Sequence, residues 1–279
     1  MRAYLRECGR IVQFIILALV ALTTIFPFYW MFVLATQSPS EIFRTPPHLW
    51  FGRSSASNYH SLMEALPTFW RSMWNSIYVA VMATVTTLFF CSLGGYAFAL
   101  YDFKYKNQLF AFMIATMMIP VTLGIIPYYI MMSWLGWIDK PRALYFPGMA
   151  SAFGIFLLRQ YIASAVPREL MDSARIDGCS EFRIYWNIVL PMIKPGLATL
   201  GIVTFVGSWN NFLGALVVLR SREAFTLPVA LRSLQGLYST DWGAIMFGTA
   251  LSILPILIVF LFASQRIITA FTAGAGLKQ

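Results

Sequence analysis

The chain has 279 residues, of which 59% are apolar and 11% charged, with a net charge of +9. A water-facing domain carries roughly 45–50% and 25%, so this composition cannot build a polar shell; it indicates an all-α, polytopic transmembrane helical bundle with lipid as the main solvent. The 20 Lys and Arg are scattered, without a basic run or zinc pattern, which argues against nucleic acid, and Cys8, Cys91 and Cys179 match neither metal spacing nor a disulfide framework.

A bilayer core takes about 20 mostly apolar residues per helix. Arg2, Arg6 and Arg10 precede an uncharged run over residues 11–35. This run exceeds the roughly 7–15 apolar residues of a secretory signal, and Phe26, Phe28, Tyr29 and Trp30 stand where cleavage would be needed. It is read as a first span. Further spans are expected over residues 72–101, 108–133, 143–165, 196–219 and 242–265, giving six in a single transmembrane domain over 1–279. Five carry no charge. The fourth contains Pro147 and Arg159, whose guanidinium is expected to reach the interface while its stem covers apolar surface. A re-entrant fourth segment would make the count odd; six is the reading adopted.

Twelve Lys and Arg then fall on the side of the termini and eight on the other, which favours both termini inside. Trp70, Trp74, Trp134, Trp137 and Trp242 sit at expected span ends as interfacial anchors. Pro27, Pro120, Pro127 and Pro255 are expected to bend spans.

Between spans four and five lies the longest polar excursion on the expected inner face, residues 167–195. It holds 8 of the chain's 31 charged residues. Pro167, Glu169, Asp172, Arg175 and Gly178 are spaced as the start, first turn, last turn and stop of a short helix from 167 to about 177. Ser180 is placed to cap a second helix with an apolar stripe of Phe182, Tyr185, Trp186 and Val189, ended by Pro191 and Pro195. The stripe is expected to pack on the bundle and leave the charged first helix open to a partner.

The residues Asp172-Ser173-Ala174, then Asp177-Gly178, nine residues, and Ile188-Val189-Leu190-Pro191 resemble the cytoplasmic signature of ATP-binding-cassette importer permeases. Pro167-x-Glu169-Leu170 and Lys194-Pro195 agree. Asp172 stands for Glu, Ser173 for the first Ala, and Cys179 for the Ala that usually follows Asp-Gly. The resemblance implies that Glu169, Asp172, Ser173, Ala174, Arg175, Asp177, Gly178, Ile188, Leu190 and Pro191 form an ATPase-coupling loop. There is no G-x-x-x-x-G-K-[ST] loop, so the chain is not expected to be an enzyme or to bind a cofactor; ATP and Mg²⁺ belong to two copies of a partner ATPase.

Trp209-Asn210 and the tail Thr272-Ala273-Gly274-Ala275-Gly276-Leu277-Lys278 resemble the carbohydrate-importing branch, in its shorter six-span permease. That implies a second, different permease and an extracytoplasmic binding protein that delivers a sugar, oligosaccharide or polyol derivative. The outer segments 36–71 and 220–241, the latter with Leu234, Gln235, Gly236 and Leu237 near its middle, are the expected contacts of that protein.

Asn75, Asn210 and Asn211 are polar groups at membrane depth, a functional suspect by default. Ser208, Asn210 and Asn211 are candidates to line a wet path and Trp209 to stack on a sugar; the competing role is hydrogen bonding between helices. His48 and His60 lie in one outer segment without metal spacing, which argues against an enzyme. An ATP-independent carrier remains the alternative, weakened by the uncharged spans and the lack of a clear repeat.

Overall fold

The computed structural model describes the backbone of residues 2–236 and 240–276 and the side chains of 10–236 and 240–261. Leu237, Leu277 and Lys278 therefore lie outside the described residues, as do the side chains of Cys8 and of residues 272–276. In chain order the helices are α1 (Arg2–Ala35), α2 (Pro39–Ile42), α3 (Ser55–Ala65), α4 (Phe69–Leu100), α5 (Lys106–Thr116), α6 (Ile125–Trp134), α7 (Arg142–Tyr145), α8 (Ala152–Ala165), α9 (Arg168–Ile176), α10 (Glu181–Ile184), α11 (Leu190–Met192), α12 (Lys194–Trp209), α13 (Phe212–Val218), α14 (Leu227–Ser233) and α15 (Trp242–Gly276). A 3₁₀ turn, Val121–Gly124, leads into α6, and a π turn, Tyr185–Val189, joins α10 to α11.

Among the described residues, three helices are long and apolar enough to cross a bilayer unaided: Arg10–Ala35, Phe69–Leu100 and Trp242–Leu261, with mean hydropathies of 2.4, 1.9 and 2.5. Phe14, Leu17 and Leu22 of α1 are all more than half exposed, as expected of a helix solvated by lipid.

The third, fourth and fifth expected spans are interrupted. At Pro120 the chain turns by 88° between α5 and the segment Val121–Trp134. Proline has no N–H to continue the helical ladder and disfavours helix in the residue before it. The fourth span shrinks to the 14 residues of α8, about 21 Å against a core of roughly 30 Å. Pro147 and Gly148 separate α7 from it, and α8 starts where Ser151 Oγ accepts the Gly154 N–H at 3.0 Å. The fifth span breaks at Asn210, between α12 and α13.

Two compact units are resolved. One comprises Met1–Phe69 with Leu231–Leu254. Here the buried Asn58 side chain donates to Ala35 O at 2.9 Å and Gln37 O at 2.8 Å, satisfying carbonyls left open at the end of α1. Gln37 Nε2 in turn donates to Trp50 O at 2.7 Å. The segment 36–71 is thus folded through α2 and α3.

The other unit comprises Trp70–Ala230 with Pro255–Gln279. Its α4 and α8 meet through small residues. A Cβ at Gly154 would lie 2.6 Å from Cys91 Sγ, and one at Gly95 2.9 Å from Arg159 N, so neither contact tolerates a side chain. Cys91, Leu158 and Leu200 form the buried cluster beside this contact. Arg159 is held within the fold, donating to Phe98 O at 3.3 Å with its guanidinium 4.2 Å from the Phe110 ring centroid. Asn75 donates to Glu223 O at 2.8 Å and Phe225 O at 3.1 Å; it braces the loop before α14 and does not join two helices. Trp70, Trp74 and Trp134 are exposed, as anchors should be, whereas Trp137 packs edge-on to Phe146 and Trp242 to Phe43.

Candidate functional site

The polar excursion folds as two helices around one turn. Pro167 is the extended N-cap of α9, Glu169 lies in the first turn and Arg175 in the last, each charge complementing its end of the helix dipole. Gly178 then adopts φ +79°. Its N–H donates to Arg175 O and the Cys179 N–H to Ala174 O, both at 3.0 Å, the paired bonds of a Schellman stop. A Cβ at Gly178 would meet no atom within 4 Å. Glycine is needed here for backbone conformation, not for space.

Ser180 Oγ accepts the Arg183 N–H at 3.4 Å and starts α10. The helix then widens, so that the Leu190 N–H bonds Tyr185 O, five residues back. Proline at 191 would press its ring on the carbonyl four residues earlier in an ordinary helix, and the wider turn before it relieves that clash. Pro191 therefore does not end the helix as expected; the helix continues through Met192 and stops at Ile193.

The widened turn also corrects the expected stripe. Ile184, Tyr185, Val189 and Ile193 are buried, together with Met171 and Ala174 of α9, against Tyr96, Ala99 and Ile162. Phe182 and Trp186 instead stack on each other at 6.0 Å and are 64% and 53% exposed. A uniform 3.6-residue count placed all four stripe residues on one face; an extra residue per turn moves two of them off it. α9 is likewise not wholly free, since its Met171 side packs inward.

Of the coupling residues, Glu169, Asp172, Ser173, Arg175, Asp177, Gly178 and Pro191 are exposed, Ala174 is buried, and Ile188 and Leu190 are half-buried against the core. Leu170 and Ile176 add exposed apolar area, Ile176 at 87%. The surface combines charge with uncovered hydrophobic groups, the mixture of a protein contact.

Its charges are fixed by short bonds. Arg175 Nε donates to Glu181 Oε1 at 2.7 Å and Arg175 Nη1 to Asp172 Oδ1 at 3.0 Å. The Tyr101 hydroxyl donates to Glu181 Oε2 at 2.5 Å and that of Tyr96 at 3.1 Å. The Arg175 bond and the Tyr101 bond hold the Glu181 carboxyl well below its ordinary range, at about 2, and the bond to Glu181 pushes Arg175 upward. Beside them, Lys106, bonded at 3.2 Å, lowers Asp102. Glu181, Tyr96 and Tyr101 escaped sequence reasoning, because a link across 80 residues leaves no local periodicity.

A second feature is a cavity of about 1080 Å³ bordered by all three interrupted spans, including Pro120, Thr122, Tyr128, Pro147, Asn210 and Asn211. Asn210 is exposed there. Asn211 is committed in part to structure, its Oδ1 accepting the Gly214 N–H at 3.1 Å as the cap of α13. Trp209 is 4% exposed and stacked on Phe205 at 6.0 Å. It is thus absent from the cavity wall, and the expected sugar-stacking role does not fit its position. Of the wall residues, Pro120 was legible as a helix-bending proline, whereas Thr122 gave no signal.

The family of binding-protein-dependent transport system inner membrane components matches residues 91–271. The arabinooligosaccharide transport system permease AraQ of Bacillus subtilis (strain 168) is 35% identical over 95% of both chains. The lactose transport system permease LacG of Rhizobium radiobacter is 35% identical over 94% of both. The sn-glycerol-3-phosphate transport system permease UgpE of Pectobacterium atrosepticum is 33% identical over 86% of this chain and 88% of its own. A crystal structure of a bacterial ABC transporter involved in alginate import contains a chain of the same fold, with a TM-score of 0.80 over 93% of this chain and 96% of that one, at 24% identity. An ATP-independent carrier is thereby set aside: the chain belongs to the binding-protein-dependent transport system inner membrane components and is an inner-membrane permease subunit of a carbohydrate-type, ATP-driven importer.

Proposed function

We propose that residues 167–195 dock on a cytoplasmic ATP-binding-cassette ATPase, two copies of which hold ATP and Mg²⁺, while this chain binds no cofactor. A second, different permease completes the path. An extracytoplasmic binding protein delivers solute to the outer segments 36–71 and 220–241, and six crossings leave both termini inside. The observation that carries the reading is the Gly178 turn, which presents Asp172, Ser173 and Asp177 beside the exposed Ile176. A charged surface with uncovered apolar groups at a membrane face costs solubility unless a partner covers it.

The solute is a neutral sugar or oligosaccharide. The cavity wall offers Asn210, Thr122 and Tyr128 and, among the described residues, no charged side chain. Amides and hydroxyls suit the hydroxyls of a sugar, whereas a phosphate needs a cation to replace its lost water. The relatives named for arabinooligosaccharides and lactose fit this wall better than the one named for glycerol phosphate.

Cysteine cross-linking in membrane vesicles tests the docking. Ser173→Cys is expected to cross-link to the ATPase, and Ser221→Cys is not. Vesicles that take up solute normally but give no cross-link from position 173 would remove the docking assignment. Uptake of glycerol 3-phosphate in preference to neutral oligosaccharides would overturn the solute class.

A further inference from the structure

Glu181 joins parts of the chain that the backbone keeps apart. α9 follows α8, and α10 leads through α11 to α12; neither adjoins α4 in sequence. Yet both carboxylate oxygens of Glu181 are engaged, Oε2 by Tyr96 and Tyr101 from the end of α4, and Oε1 by Arg175 of α9. Arg175 Nη2 also approaches Oε2 at 3.4 Å. One turn deeper, Tyr185 and Ser92 share a buried hydrogen bond of 2.7 Å, and the Tyr96 ring lies between, 5.5 Å from Tyr185 and 5.3 Å from Tyr101.

Around this link the helices are not tightly packed. A cavity of about 470 Å³ opens between Leu100, Tyr101 and Asp102 on one side and Arg168, Asp172 and Arg175 on the other. Side chains bridge it, and Glu181 is where they meet. Only a carboxylate accepts from three donors here. Glutamine offers one acceptor oxygen and turns an NH₂ group either toward the arginine, which has no acceptor, or toward the tyrosines, whose hydroxyls would have to reverse from donating to accepting.

We propose that Glu181 is a positioning residue of transport, fastening the coupling loop to α4 so that a push on α9 reaches the second span as well as α8 and α12. The proposal rests on the reading that residues 167–195 dock on the ATPase. The buried Tyr185–Ser92 bond makes α10 follow α4, and the Arg175–Glu181–Tyr101 chain makes α9 follow α10.

The test uses the whole importer, with its ATPase and binding protein, in proteoliposomes. Hydrolysis without binding protein and solute taken up per ATP are measured for E181Q, Y101F and the double variant. Y101F removes one hydroxyl and keeps the ring. Uptake per ATP is expected to fall about tenfold in E181Q and about threefold in Y101F, the effect of losing one charge-assisted bond or part of one. Basal hydrolysis and ATPase co-purification are expected to persist in Y101F, whose residue lies outside the docking segment. The double variant should be no worse than E181Q, because both changes cut the same chain. Unchanged uptake per ATP in E181Q, additive losses, or release of the ATPase in Y101F would each overturn the proposal. A Gly178→Asp control separates the causes: if it uncouples transport while E181Q does not, only the Glu181 assignment fails; if neither uncouples, the docking reading fails too.

Discussion

Replacing Gly178 by asparagine, aspartate and valine separates backbone conformation from surface charge at the tip of the loop. At φ +79° an L-residue meets a penalty of about 1–2 kcal/mol, greater for a β-branched side chain and smaller for Asn and Asp. No atom lies within 4 Å of a Cβ built there, so packing adds nothing. What strain threatens is the pair of bonds from Gly178 and Cys179 to the end of α9, each with a net worth of about 0.5–1.5 kcal/mol. Valine should thus destabilise the loop by about 2 kcal/mol and asparagine by about 1 kcal/mol or less. Aspartate has the backbone tolerance of asparagine but adds a negative charge at a helix C-terminus, a further cost of about 0.3–1 kcal/mol. Thermal unfolding of the purified complex should rank the variants Gly, Asn, Asp, Val, from most to least stable. Solute uptake and ATPase co-purification should fall much further in Asp than in Asn, because the added charge meets the docked partner. Equal stability for valine and asparagine would refute the conformational argument. Equal uptake for aspartate and asparagine would refute the docked surface.

Asn211→Ala removes the acceptor of the Gly214 N–H and should cost about 1 kcal/mol of stability, read as a lowered unfolding temperature; no change would mean that α13 does not depend on its cap. The Glu181 carboxyl, held at about 2 against an ordinary 4.5, contributes stability that is present above about pH 4.5 and lost as pH falls toward 2. The gap in unfolding temperature between the unmodified protein and E181Q should therefore be widest near neutrality and close over that acid interval. A gap independent of pH would show that ionisation of Glu181 is not its source.

The long apolar runs made α1, α4 and α15 legible, because lipid solvation acts on average hydropathy over some 20 residues. Pro120 was legible as a bend but not as a turn of 88°, and the same averaging hid the break at Asn210, where backbone geometry changes but hydropathy does not. The loop's two-helix form followed from local signals at Pro167, Gly178 and Ser180, and these coincide with caps and a stop in the structure. Its buried face did not, since the stripe was counted at a single period across the π turn at Tyr185–Val189. Trp209 was misplaced for a related reason: helical spacing says which residues share a face, not whether that face meets a cavity or a neighbouring helix.

The π turn has a consequence for how the loop tolerates length change. It sits between Glu181, aimed at α4, and Pro191, ahead of α12, and so sets the azimuth of one against the other. Rewinding Tyr185–Val189 as an ordinary helix with all its residues kept would rotate everything upstream by about 100°, carrying the Glu181 carboxylate away from Tyr101. Deleting one residue there would instead restore ordinary winding with the two flanks still in phase. The segment works as a phase adjuster, taking up one residue more than an ordinary turn while Glu181 and Pro191 keep their mutual orientation.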